Sequence, residues 1–427
     1  MLSRALPRLA LAAAALVAVG GGASATFSAF SQTAGNQGNT FATASSFGPT
    51  CSNTTVAPYY MTGAEHGRIS GGGGSGGWDA VTGTMTADST VARSGSYSVK
   101  AAPSGAAAYV YRTFPVSPAE PDAMARFAIR LASLPGSNVS ELFKFSAFTN
   151  GGSAVLGYDA SSQKLTMTLK SSSAGTPSVV SSATAISAGT WYTIDVRYTN
   201  GSSPHTAEWR VDGVQQTTAS ATGTADKLYQ AVFGTTVSAT YTANYDDVVL
   251  SLNGTEYPMG AGKVLALAPD GMGTSVNPSS FQDDDGTVID STSWQRVDEI
   301  PMTSKLDYVT QVTAGGTSYA ELTFANTTET CIRAVWVNFT NHNVSTTGGS
   351  NNPKLSLFDG STEAFSYTTG WTQGTAGPYH FSGRASPAST PWTQSSLNGV
   401  VARFGYGTDI APQPYLDAVV LEYEVQQ

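Results

Sequence analysis

The sequence predicts an all-β protein: two tandem β-sandwich domains after a signal peptide and a short leader strand. Three observations carry this. Charged residues make up 12% of the 427, against about 25% in an average globular protein. Ser and Thr together are roughly a quarter of the chain and Gly numbers 45, which with Val and Tyr is strand-and-turn chemistry. Short alternating segments recur with turn signals between them. Apolar residues at 41%, with 17 Phe, 19 Tyr and 7 Trp, suffice for packed cores and exclude global disorder. The one long Ala/Leu run is N-terminal, so a helical bundle, a coiled coil and a multi-span membrane protein are excluded. A net charge of −9 without a basic block argues against nucleic-acid binding.

Residues 1–25 read as a secretory signal. Arg4 and Arg8 precede the apolar stretch Leu9 to Val19, and Ala23-Ser24-Ala25 supplies small residues for cleavage. The apolar run is shorter than the ~20 residues a membrane span needs. Cleavage would shift the charge from −9 to −11. Without a lipobox Cys or a C-terminal hydrophobic tail, the expectation is a secreted, extracellular or cell-surface protein with no membrane span in its mature form. Residues 26–50 hold the leader. Its Thr26-Phe27-Ser28-Ala29-Phe30 and Asn39-Thr40-Phe41 segments resemble the region after a SipW-type signal in camelysin-like and biofilm-fibre proteins. That resemblance implies self-association through the leader strand, since a freed strand needs a sheet edge to satisfy its backbone groups.

Residues 51–265 form the first predicted domain. Tyr109 to Phe114, Ala125 to Leu131, Leu142 to Phe148 and Leu165 to Leu169 alternate as strands, with turns at Ser133-Leu134-Pro135-Gly136, Asn150-Gly151-Gly152 and Asp159 to Ser162. In Trp191 to Tyr198, alternation puts Trp191, Thr193, Asp195 and Arg197 on one face and Tyr192, Ile194, Val196 and Tyr198 on the other. Asp212-Gly213 predicts a hairpin with both turn residues at positive φ. Together with Gly189-Thr190-Trp191-Tyr192, Glu208 to Val214 and the closing segment Tyr245 to Ser251, this resembles the laminin-G-like or concanavalin-A-like jelly roll. Gly63-Ala64-Glu65-His66-Gly67, Trp78 and Arg93 to Val99 are similar to the opening of carbohydrate-binding jelly rolls, with Ala64 in place of the usual Phe. The resemblance implies a structural calcium held by Glu65 and Asp247, with carbonyls near Ser94 and Gly95; carboxylates from distant segments suit a hard cation.

No catalytic constellation stands in the sequence. Glycosidase chemistry needs two facing carboxylates, and Glu141 and Glu208 lack spaced partners. The four His (66, 205, 342 and 380) fall on segments read as loops, where solvation is the expectation. A binding surface is better represented: Arg126 and Arg130 share one strand face and Lys144 sits between Phe143 and Phe145. On an exposed sheet these cations could hold an anionic glycan, with Trp78, Tyr109 or Tyr111 stacking on sugar rings. The competing reading is a solvated sheet face with those aromatics in the core.

Residues 266–427 form the second predicted domain. Ala266 to Gly273, punctuated by Pro and Gly, reads as a linker. Asp283-Asp284-Asp285-Gly286 fails the EF-hand ligand pattern and reads as a solvated turn. Trp294 to Pro301, Asp307-Tyr308-Val309, Trp392 to Val400 and Leu416 to Tyr423 resemble a β-sandwich of phage-like structural proteins, which implies a structural or display module. Export permits a disulfide between Cys51 and Cys331, but spacing does not fix it. The expected function is a secreted, non-catalytic surface or matrix protein whose first jelly roll binds a polysaccharide or cell-surface glycan. The alternatives are a structural virion, appendage or fibre component, and, less favoured, a polysaccharide hydrolase or lyase.

Overall fold

The computed structural model describes residues 58–69, 77–115, 122–302, 306–313, 317–343, 353–368, 379–388, 391–406 and 414–426. The signal, the leader and Cys51 lie outside the described residues. Residues 49–427 form one compact unit. Among the described residues the strands make four antiparallel sheets of nine, seven, six and five strands, and no helix is long and apolar enough to cross a membrane.

The nine- and seven-stranded sheets face each other across the first hydrophobic core. Period-2 alternation builds it: Phe143, Phe145, Leu165, Met167 and Leu169 point inward from the seven-stranded sheet and Phe127, Ile194, Val196 and Tyr198 from the nine-stranded one. Phe127, Phe143 and Phe233 pack with ring centroids 4.8–5.2 Å apart, within the range of favourable aromatic pairing. The Asp212-Gly213 hairpin forms as expected, with φ of 49° and 78°.

The six- and five-stranded sheets enclose a second core. The segment read as a linker is paired backbone instead. Gly262–Leu267 pairs with Pro414–Gln426, and Pro269–Met272 pairs with Ala320–Phe324. Pro269 is tolerated because its strand is an edge strand, where the missing N–H is not needed.

The two sandwiches meet on the outer faces of the nine- and six-stranded sheets, through buried ion pairs, hydrogen bonds and aromatic packing. Glu424, at 0% exposure, accepts from Arg126 Nη1 at 2.7 Å and Arg333 Nη1 at 3.1 Å, while Arg333 Nη2 lies 3.2 Å from Glu256. Glu422 accepts from Thr62 Oγ1 and from the backbone N–H of Gly63 and Glu65. Trp336 of the six-stranded sheet joins the first core, meeting Tyr60 edge to face at 6.1 Å. Cys331 is buried and disulfide-bonded.

Candidate functional site

The outer face of the seven-stranded sheet carries an open groove of about 680 Å³. Four consecutive strands floor it: Val139–Ala147, Ser153–Asp159, Lys164–Lys170 and Ser178–Ser181. Inward positions on these strands are apolar, so the outward ones are what a ligand meets. The register aligns them in rows: Lys144, Val155, Thr168 and Val179 form one, and Ser146, Ser153 and Lys170 the next. A register shift between Val139 and Phe143 lifts Asn138 to Glu141 into one wall. Gly157 lets that wall approach: a Cβ there would lie 2.7 Å from the Val139 carbonyl oxygen.

The lining holds two lysines, Lys144 and Lys170, and two carboxylates, Glu141 and Asp159. Glu141 accepts from Thr236 Oγ1 and N at 2.5 and 2.8 Å and meets Lys144 Nζ at 3.4 Å. Asp159 accepts from the hydroxyls of Ser161 and Ser162 and sits below the usual carboxylate range because of them. Both carboxylates are thus engaged by neighbouring donors.

The residues singled out in the sequence divide among three places. Lys144 lines the groove. Tyr111 lies in the Lys144 row beyond one intervening strand, through Val232, and Tyr109 sits beside it with ring centroids 6.3 Å apart; both share the groove's face outside its lining. Trp78 is a core residue, 6% exposed, packed on Tyr60 and Phe233. Arg130 belongs to the other sheet, where its Nε donates to the Gly189 carbonyl. Arg126 is fully buried against Glu424. Trp78 and Arg126 are therefore withdrawn from any surface: the first fills the core, and the second sheet pair covers the face that carries the other. Burial also lifts the nearby Asp195 carboxyl to about 6, opposed first by Arg126.

The two residues marked for calcium are engaged as follows. Asp247, at φ 52°, accepts from Arg93 Nη1 and Ser94 Oγ, both at 2.5 Å, and from Val264 N at 2.6 Å. A guanidinium already balances it. Glu65 accepts from the backbone N–H of Ser96 and Tyr97, and its neighbour in the fold, Asp246, from those of Arg93 and Ser94. Burial, then the charges of Glu422 and Asp246, pushes Glu65 up to about 9. Asp246 is raised by burial and then by Asp247. Asp247 is thus balanced by a guanidinium, whereas Glu65 and Asp246 are held by backbone donors without a cationic partner among the described residues. Asp283, Asp284 and Asp285 bring their carboxylates together, with Arg296 bridging to Asp284 and Asp285.

All four histidines are buried, against the expectation of solvated loops. His205, His342 and His380 lie in strands. His66 stacks on His380 at 4.7 Å between the sandwiches. Burial, then His66 and Arg68, holds His380 well below its ordinary value.

No family model and no curated protein matches the chain, so neither the leader resemblance nor the C-terminal one gains a counterpart. Solved structures similar to parts of it include Cellulose induced protein Cip1 (16% identity, TM-score 0.32, 41% of this chain and 88% of that one). Another is carbohydrate binding module CBM66 from Bacillus subtilis (12% identity, TM-score 0.27, 41% and 96%). A third is the Trypanosoma rangeli sialidase (15% identity, TM-score 0.29, 41% and 30%), of which the chain spans under a third. Scores this low carry no argument about the ligand.

Proposed function

We propose that this protein is a non-catalytic binder of a neutral polysaccharide, held in the groove of the seven-stranded sheet. The observation that supports this is the lining: an open, preformed sheet face bearing hydroxyls and the Asn138 amide, on which two lysines are matched by two carboxylates. Concave sites with a few placed polar groups are where ligands bind. Sugar hydroxyls both donate and accept, and the Lys144–Glu141 pair offers both functions at one point. The expected cationic patch is dispersed, since Arg126 and Arg130 lie on the other sheet, so a neutral glycan fits better than an anionic one. Both groove carboxylates are engaged by donors, which favours holding a sugar over hydrolysing one. A structural cation at Glu65 and Asp246 belongs to the same reading, bracing the Arg93 to Tyr97 turn.

Affinity electrophoresis tests it, with hydroxyethyl cellulose, xylan and laminarin as neutral probes and alginate as the anionic one. Retardation by a neutral polysaccharide should persist at about 1 M salt, where exposed charges are screened beyond ~3 Å. Lys144→Ala with Lys170→Ala should weaken it about tenfold or more, a loss of one good polar contact. Absence of retardation by every probe would overturn the proposal, and retardation by alginate alone, lost in salt, would overturn its neutral class.

A further inference from the structure

Phe148 is 50% exposed, a large apolar side chain left in water. It lies two residues beyond Ser146, and its backbone N–H bonds to the Lys227 carbonyl, continuing the strand pairing. Alternation therefore places it on the groove's face. Its ring meets Tyr229 edge to face, with centroids 5.5 Å apart. Tyr229 reaches that position through a bulge. Between the pairs Gln230↔Ser146 and Leu228↔Ala147 one strand advances two residues and its partner one, so Tyr229 is the extra residue. Bulges re-aim side chains in this way.

The segment that joins Phe148 to the groove is low and tied down by hydrogen bonds. Thr149 donates through N and Oγ1, and Asn150 through N, to Asp226, each at 2.7 Å. Gly152 N donates to Asn150 Oδ1 at 2.7 Å. Gly151 and Gly152 line the groove here without side chains. Gly151 is at φ 69°, and a Cβ on it would lie 2.9 Å from that of Ser173. The groove is thus left open toward Phe148.

We propose that Phe148 and Tyr229 form an apolar subsite continuous with the groove, on which the next ring of a bound neutral polysaccharide lays its C–H face. This rests on the groove reading above and deepens it. Two residues of strand span ~7 Å, so Phe148 stands about one sugar ring beyond Ser146. The C–H face of a pyranose is its apolar surface, and covering it with an aromatic ring removes both from water. A ligand long enough to fill the groove and reach Phe148 gains this contact, and a short one does not.

The test is isothermal titration of the full chain with a length series of oligosaccharides from whichever neutral probe retards the wild type. Phe148→Ala should weaken long oligosaccharides about tenfold, the loss of one stacking contact, and leave the shortest binding oligosaccharide unchanged. Phe148→Trp should retain the long-chain gain. Lys144→Ala should weaken all lengths alike. Wild-type affinity of Phe148→Ala at every length would overturn the subsite while leaving the groove reading standing. Failure of the wild type to bind any probe would overturn both.

Discussion

The clearest quantitative expectation concerns Glu424, which holds two guanidiniums in the dry contact between the sandwiches. Replacing it by Gln removes the carboxylate that Arg126 and Arg333 contact at 2.7 and 3.1 Å. Arg333 retains Glu256 at 3.2 Å, and Arg126 loses its ion pair among the described residues. Breaking a buried pair by removing one partner costs about 3–5 kcal/mol, and with two cations left the loss should lie at the upper end. Arg126→Met removes the other partner at smaller cost. Glu424 still has Arg333, the methionine stem refills the volume, and Arg126 Nε and Nη2 have no hydrogen-bond partner to lose. Its cost should be about 1–2 kcal/mol, closer to the neutral outcome of apolar replacement. Urea denaturation followed by tryptophan fluorescence reads this directly, because Trp336 is buried at the same contact. The difference between the two variants, about 3 kcal/mol, should appear as a shift in midpoint at unchanged slope. Polysaccharide retardation by Arg126→Met should match the wild type. Equal stability of the two variants would refute the bridging role of Glu424. Loss of polysaccharide binding in a stable Arg126→Met protein would refute the burial of Arg126.

Two further expectations follow from the Glu65 turn. Glu65 has its folded value raised to about 9, so the native state holds a proton that the unfolded chain has released, and stability falls as pH rises between about 5 and 9. Glu65→Gln should flatten that slope, and calcium should stabilise the wild type more at alkaline than at acid pH because it competes with that proton; an unchanged slope in the variant would refute the assignment. Gly95 adopts φ 61°, and a Cβ on it would fall 2.2–2.3 Å from the Glu65 carboxyl atoms. Gly95→Ala should therefore lower stability by about 1–3 kcal/mol through strain, measured by the same denaturation, and a neutral effect would show that the turn is not held by Glu65.

What the sequence determined by itself was local. Strand period, the core faces of Trp191 to Tyr198, the Asp212-Gly213 turn and the outward aim of Lys144 between two core phenylalanines all follow from alternation and turn chemistry within a few residues. Tertiary structure decided which outward faces meet water. Arg126 and Lys144 carry the same signature, a cation flanked by inward apolar residues, yet one is fully buried and the other lines a groove. The difference is a sheet nearly 300 positions away along the chain, whose Glu424 covers Arg126; no local pattern encodes that contact. The same holds for His66 and His380, which stack although 314 positions separate them, and for Tyr229, whose outward turn depends on a one-residue mismatch between strands. Alternation specifies two faces for every strand, and only the packing of sheet on sheet chooses which of them stays open.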